Sequence, residues 1–153
     1  MNDIHDPQWT DGNDTLAQLL GQVRMAIFKG MDQEFLLDEE LAALEVTAAQ
    51  FVIIKNLLKG NAKSACELCR AMDYDGGAMS RMIDRLESKN LLRRVALAHT
   101  RREQSIEVTD AGKAAFPKMQ ACLAKVLNKL LSGVDKTQVR EVERTLKQML
   151  ANS

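Results

Sequence analysis

Asp75-Gly76-Gly77-Ala78-Met79-Ser80-Arg81-Met82-Ile83-Asp84-Arg85-Leu86-Glu87-Ser88-Lys89 is the stretch on which the fold turns. Asp75 stands where a helix N-cap belongs, because its short carboxylate can accept from the free amides of a first turn. Met79, Met82, Ile83 and Leu86 then recur three and four apart, which places them on one inward face. Arg81, Asp84, Arg85 and Glu87 fall on the opposite side. Asn90 follows where a helix stop favours Gly, and Asn is the next most tolerant residue of a left-handed backbone.

Working backwards, Asp73-Tyr74-Asp75-Gly76-Gly77 reads as a turn. Ser64-Ala65-Cys66-Glu67 has the spacing of a capping box and predicts a short helix to about Met72. Thr47-Ala48-Ala49-Gln50 is another such box; its helix carries Phe51, Ile54, Leu57 and Leu58 and stops at Gly60. Working forwards, the period changes. Gln104-Ser105-Ile106-Glu107-Val108 alternates as a half-buried strand does, with Leu92 to Leu97 as its partner. Between them Ala98-His99-Thr100-Arg101-Arg102 tips a small hairpin.

Long helices flank this unit. One begins at Asn13 or Asp14 and runs to about Leu41, with Leu16, Leu19, Leu20, Val23, Ile27, Met31 and Phe35 in one stripe. A stripe that long implies a partner helix. Thr109-Asp110-Ala111-Gly112 caps a second, reaching about Leu131 and ending at Ser132-Gly133. Asp135 opens a last one whose Val139, Val142, Leu146 and Met149 form a seam for helix–helix packing. Residues 1–12, with Pro7 and Gly12, read as a flexible tail. The expected fold is therefore mainly α with a small β-hairpin wing. A winged helix-turn-helix lobe (47–109) lies between helices 13–45 and 110–153, all in a single domain over 13–153.

Composition agrees. The 153 residues are 46% apolar but only 4% aromatic, which favours helices over a β-sandwich. No apolar run approaches the roughly 20 residues that span a bilayer. Met1-Asn2-Asp3-Ile4-His5-Asp6 lacks the pattern of a secretory signal, and three cysteines suit a reducing compartment, so a cytoplasmic protein without a membrane partner is expected. No Ser/His/Asp, Cys/His or paired-carboxylate arrangement is assembled, so no catalytic residue is assigned and no enzyme is expected.

Net charge is zero, yet it is unevenly spread. Residues 1–49 hold ten acids and two bases, a local −8. Residues 79–102 hold seven bases (Arg81, Arg85, Lys89, Arg93, Arg94, Arg101 and Arg102) against Asp84 and Glu87, a local +5. A polyanion responds to such a patch and not to the whole-chain sum. An α-helix fits the major groove of DNA, and an arginine-bearing hairpin reaches the minor groove or the backbone beside it. Gly76 and Gly77 allow close approach to phosphates at a helix N-terminus. Ala78, Ser80 and Arg81 face the groove, with Arg81 able to pair bidentately with guanine; Arg85, one turn on, suits a phosphate. Ser64, Arg94, His99, Thr100, Arg101 and Arg102 complete the candidate DNA-facing set.

Three segments together resemble the MarR (multiple antibiotic resistance regulator) family: Leu68-Cys69-Arg70-Ala71-Met72, then Ser80 through Arg94, then Glu107-Val108-Thr109-Asp110-Ala111-Gly112. The resemblance implies a homodimer interlocked by its terminal helices, two winged lobes on a pseudo-palindromic operator, and repression relieved by a small ligand, often a phenolic or aromatic acid. Two features depart from the family pattern. The wing usually reads Asp-Pro-x-Asp-Arg-Arg; here Leu97-Ala98-His99-Thr100-Arg101-Arg102 lacks both acids, which leaves the wing more positive. Asn90 stands where the family has Gly.

The resemblance places a ligand pocket between the dimer helices and the winged lobe, with Arg24, Met25, Phe28, Phe51 and Ile54 as candidates by position. Arg24 could pair with a carboxylate ligand. Cys66 and Cys69 form a Cys-x-x-Cys on a helix, but only His5 and His99 exist to join them, so no metal site and no cofactor is expected. Two alternatives stay open: a thiol-based redox-responsive regulator using Cys66 and Cys69, and a winged-helix module that docks on protein.

Overall fold

The computed structural model describes residues 15–97 and 104–153. The tail 1–12 and the hairpin tip Ala98 to Arg102 lie outside the described residues. Among the described residues are seven helices and one two-stranded hairpin.

Helix α1 (Leu16–Leu37) starts from a capping box in which Thr15 accepts from the Gln18 amide and Gln18 reaches back to the Thr15 amide. It does not continue to Leu41. At Asp38 the backbone turns extended, and the carboxylate accepts from the Leu41 amide at 3.0 Å, opening a separate helix, α2 (Glu39–Leu44). An Asp inside an apolar stripe offers the backbone an alternative to the helical ladder, and here the cap wins. The next helix, α3 (Ala48–Leu58), has the expected Thr47–Gln50 box and ends before Gly60 at φ +71°.

Ser64 caps α4 (Ala65–Met72), but the reciprocal half of its box is shifted. Glu67 accepts from the Lys63 amide at 2.6 Å instead of from Ser64. Asp75 caps α5 (Gly76–Ser88) through the Ala78 amide at 2.9 Å. Asn90, at φ +58°, stops it, with Leu91 N donating to the Leu86 carbonyl at 2.9 Å. Strands β1 (Leu92–Ala96) and β2 (Gln104–Val108) are antiparallel, Leu92 opposite Val108 and Ala96 opposite Gln104. Leu97 falls outside the ladder. Ile106 N donates to the Lys63 carbonyl at 2.8 Å, so the approach to α4 is stitched to the hairpin.

Helix α6 (Asp110–Leu130) passes through Pro117, and α7 (Lys136–Ala151) opens on a capping box of Asp135 and Gln138. Met31, Phe35, Leu41, Ile53, Ile54, Leu68, Met79, Ile83, Leu86, Leu91, Leu92 and Met119 form the fully buried core. Burying each such side chain contributes about 1.5–3 kcal/mol. Helices α1 and α6 cross where Gly30 meets Val126; a Cβ on Gly30 would lie 2.8 Å from Val126 Cγ1. Elsewhere apolar surface is left open. Helix α7 buries no residue, and Val142 and Leu150 are 58% and 73% exposed. On α1, Leu16, Leu19 and Val23 are exposed too, so the predicted stripe is buried at its Met31–Phe35 end, half-buried at Leu20 and Ile27, and open toward the start of the helix.

Candidate nucleic-acid interface

The basic cluster around α5 and the hairpin divides once its partners are traced. Arg93 on β1 pairs across the ladder with Glu107, donating from Nε at 3.0 Å and Nη2 at 2.7 Å to one carboxylate oxygen. Arg94, beside it and half-buried, turns to α5: Nη2 donates to Asp84 at 2.5 Å and Nη1 to Glu87. The Arg94 amide also donates to Glu87 at 3.2 Å. The Asp84 hydrogen bond, ahead of the nearby carboxylate charges, pushes the Arg94 guanidinium above its ordinary pKa. Lys89 donates to the Glu45 carbonyl, and burial lowers its pKa.

Arg81 and Arg85 remain. Both are exposed on α5, and neither forms an ion pair among the described residues. The Arg81 guanidinium lies back toward the first turn, where a Cβ added to Gly77 would be 3.5 Å from Nη1. Gly76 has open space around it, and Ser80 is exposed. Asp75 occupies the Ala78 amide, while the Gly76 and Gly77 amides belong to the first turn, which has no intrahelical acceptor. Ala78 and Ser64 are half-buried, and the Ser64 hydroxyl is engaged by the Glu67 amide at 3.2 Å. The structure therefore gathers Gly76, Gly77, Ser80, Arg81 and Arg85 on one outward face. Arg94 is the exception: its charge is directed inward to two acids. His99, Thr100, Arg101 and Arg102 lie outside the described residues.

The five ligand candidates do not converge. Arg24 sits 4.9 Å over the Phe28 ring on the exposed side of α1, and Met25 beside it is 72% exposed. Phe51 and Ile54 belong to the packed core, where the Phe51 ring stacks on Phe116 at 5.4 Å. Their helical spacing correctly marks them as inward-facing, but inward here means packed. Two of the clefts among the described residues flank the hairpin. One of 730 Å³ lies between the end of α3, the hairpin and the start of α6, lined by Leu58, Arg93, Glu107 and Lys113 among others. Another of 560 Å³ lies between α4 and the hairpin, with Ser64, Cys66, Arg94 and Leu97 in its wall.

Cys66 is exposed, Cys69 half-buried and Cys122 buried, and burial raises the Cys122 pKa. Among the described residues no three potential metal ligands cluster, and no helix is long and apolar enough to cross a membrane. Sequence reading missed the acidic partners of Arg94. Asp84 and Glu87 one turn apart could have suggested a receptor for a base, but only the hairpin's return shows which base.

Residues 44–103 match the model of the MarR family. Over 139 residues the chain is 25% identical to the multiple antibiotic resistance protein MarR of Escherichia coli K12, covering 90% of this chain and 96% of that protein. It is 29% identical over 118 residues to the HTH-type transcriptional repressor MdtR of Bacillus subtilis 168, covering 75% of each. Among solved structures, a mutant of E. coli MarR complexed with operator DNA superposes with a TM-score of 0.73 at 24% identity, covering 88% of this chain and 93% of that one. Bordetella bronchiseptica BpsR, whose DNA binding is regulated by 6-hydroxynicotinic acid, superposes with a TM-score of 0.71 at 21% identity, covering 91% and 96%. At those identities the two structures establish the shared fold.

Proposed function

The chain belongs to the MarR family, and from that premise we propose that it is a sequence-specific DNA-binding transcriptional regulator, a homodimeric repressor acting in the cytoplasm. The observation that carries this reading is the outward face of α5. Its two arginines, Arg81 and Arg85, are exposed and without acid partners among the described residues, next to two glycines at the helix N-terminus. Arg81 and Ser80 read base edges, Gly76 and Gly77 let the backbone approach a phosphate, and Arg85 contacts the backbone one turn on. Ser64 and Ala78 border this face, and His99, Thr100, Arg101 and Arg102 supply the wing. The operator-bound relative supports the same use of the fold.

The homodimer reading rests on the exposed apolar residues of α1 and α7, which a second copy would cover. An aromatic carboxylate is the proposed effector, supported by the hydroxynicotinic acid relative. Arg24, stacked on Phe28 with Met25 alongside, is its proposed anchor. Phe51 and Ile54 act from the core and not as contacts.

The decisive experiment compares Arg81→Ala and Arg101→Ala with wild type on a duplex that the wild-type protein selects from a random pool. Loss of a bidentate base contact costs about 1–3 kcal/mol on the selected duplex and relaxes its sequence preference. Loss of a phosphate contact weakens all duplexes alike and shallows the salt dependence by about 0.9 in log–log slope. Unchanged binding by both variants refutes the assignment.

A further inference from the structure

We propose that Arg94 is a positioning residue: it latches the hairpin to α5 and neutralises two acids on the face through which α5 meets DNA, without touching DNA itself. The inference rests on the reading of α5 as the groove-facing helix. Three observations carry it. Arg94 divides its guanidinium between Asp84 and Glu87, at 2.5 Å from the former, and its own amide adds a further bond to Glu87. A single residue of β1 thus fixes one turn of α5 through both main chain and side chain. Second, the Arg94 side chain is only 28% exposed, against 59% for Asp84 and 38% for Glu87, so it is more covered by the protein than either acid it holds.

Third, the charge balance of α5 itself gives the neutralisation an effect. Its polar surface carries Arg81, Asp84, Arg85 and Glu87, two bases and two acids, which by itself offers a polyanion no net attraction. Arg94 supplies the missing positive charge from the neighbouring strand. Arg93, the next residue on β1, points to the other face of the strand and pairs across the ladder with Glu107. Break the latch and two effects combine. The wing loses its fixed angle to α5, and bare carboxylates are left beside the arginines that face phosphate and base.

The test uses the full-length protein, the duplex that wild type selects from a random pool, and a scrambled duplex of equal length, over a salt series. Each variant is compared per folded protein, with thermal melting as the check on folding. Arg94→Gln should reduce selected-duplex affinity by about tenfold or more, the size of a lost base contact, while leaving the salt slope at the wild-type value. Asp84→Asn with Glu87→Gln should lower the ratio of selected to scrambled affinity, although the change makes the surface more positive. Combining these with Arg94→Gln should lower that ratio no further. Arg94→Lys keeps the charge but cannot bridge two carboxylates, and should fall between Gln and wild type.

If Arg94→Gln shallows the slope by about 0.9 and leaves the ratio intact, Arg94 is a phosphate contact and the proposal is overturned. A ratio untouched by removal of the two acids overturns it as well. A wild-type protein that does not distinguish selected from scrambled duplex would instead remove the reading of α5 on which the proposal stands.

Discussion

Lys89 Nζ, one residue past the end of α5, donates to the main-chain carbonyl of Glu45 at 2.6 Å. Glu45 is the left-handed C-cap of α2, at φ +48°, so the ammonium satisfies a carbonyl that α2 leaves without a helical partner. Two residues later α3 is capped, and the Ala48 amide donates to Asp32 of α1 at 2.7 Å. A short polar path therefore runs from α1 through the α2–α3 corner to the end of α5.

Removing that strut should cost stability. Lys89→Met keeps the stem's apolar contacts but leaves the Glu45 carbonyl to water, at a cost of about 1 kcal/mol, or a melting shift of about 2–4 °C for a chain of this size. The pH dependence has a definite sign. Burial holds the Lys89 pKa below 10.5, so in the alkaline range beneath that value the unfolded chain binds more protons than the folded one. Stability contributed at this site thus rises with pH in that window. Wild type should gain on Lys89→Met as pH climbs toward 10.5. A difference that is flat or falls with pH in paired denaturant melts would contradict the assignment.

Two glycines should respond to alanine in opposite ways. A Cβ on Gly112 would lie 2.4 Å from the Leu91 carbonyl oxygen and 2.7 Å from Val108 Cγ1, where the start of α6 presses on the hairpin. Backbone must move, and overpacking of this kind costs about 1–3 kcal/mol, more than the helix propensity that Ala would add. At Gly76 the same atom meets nothing within 4 Å, so Gly76→Ala should melt at or slightly above the wild-type temperature. On the proposed function it should nevertheless weaken operator binding, because the methyl group stands where a phosphate would approach. Melting and DNA affinity measured on the same sample separate the two effects. A Gly76→Ala variant that binds DNA as tightly as wild type would remove that glycine from the interface.

What the sequence disclosed was local. Thr47 with Gln50, Asp75 before its glycines, Asn90 in its left-handed turn and the alternation through Gln104–Val108 each act over a few residues, and each appears in the structure as read. What it concealed was non-local or a close competition. Asp38 interrupts a stripe whose periodicity runs on past it, since a cap and a helical turn differ little in energy there. Glu67 accepts from the Lys63 amide and not from that of Ser64, at a residue whose carbonyl is also bonded to β2, a contact from outside the local sequence. The seven bases around α5 looked like one patch, yet Arg93 and Arg94 are committed to acids that only the folded hairpin brings near. Phe51 and Ile54 could be identified as inward-facing, but spacing cannot tell a packed interior from a pocket.

The cysteines should react in order of exposure. Thiolate is the nucleophile, and access decides the rest. Cys66 is exposed, Cys69 half-buried and Cys122 buried with its pKa raised by desolvation. A chromogenic disulfide reagent should show one fast phase, lost in Cys66→Ser, one slower phase, and one thiol released only on unfolding. For Cys122 the raised pKa also means that above pH 9.0 the unfolded chain loses a proton that the folded chain keeps, so this site lowers stability as pH rises past that value. Fast labelling of Cys122 in the native protein would show that its surroundings open readily.

Association of two copies should be the most sensitive property of the apolar seam on α7. Val142, 58% exposed, stands with Leu146 and Met149 across a groove from Leu16 and Leu20 of α1. Within one chain no residue of α7 is itself buried and Val142 is exposed, so a polar substitution at Val142 should alter a monomer's stability by no more than about 0.5 kcal/mol. In a dimer that covers the seam, Val142→Asp places a carboxylate in an apolar contact, where an unpaired charge is expensive unless it is neutralised or the contact opens. Sedimentation velocity should therefore find wild type as a dimer and Val142→Asp shifted toward a monomer of unchanged helical content. Operator affinity should fall with it, because two half-sites are then no longer engaged together. If Val142→Asp sediments as wild type does, the two copies associate through some other face, and the exposed apolar residues of α1 and α7 need another explanation.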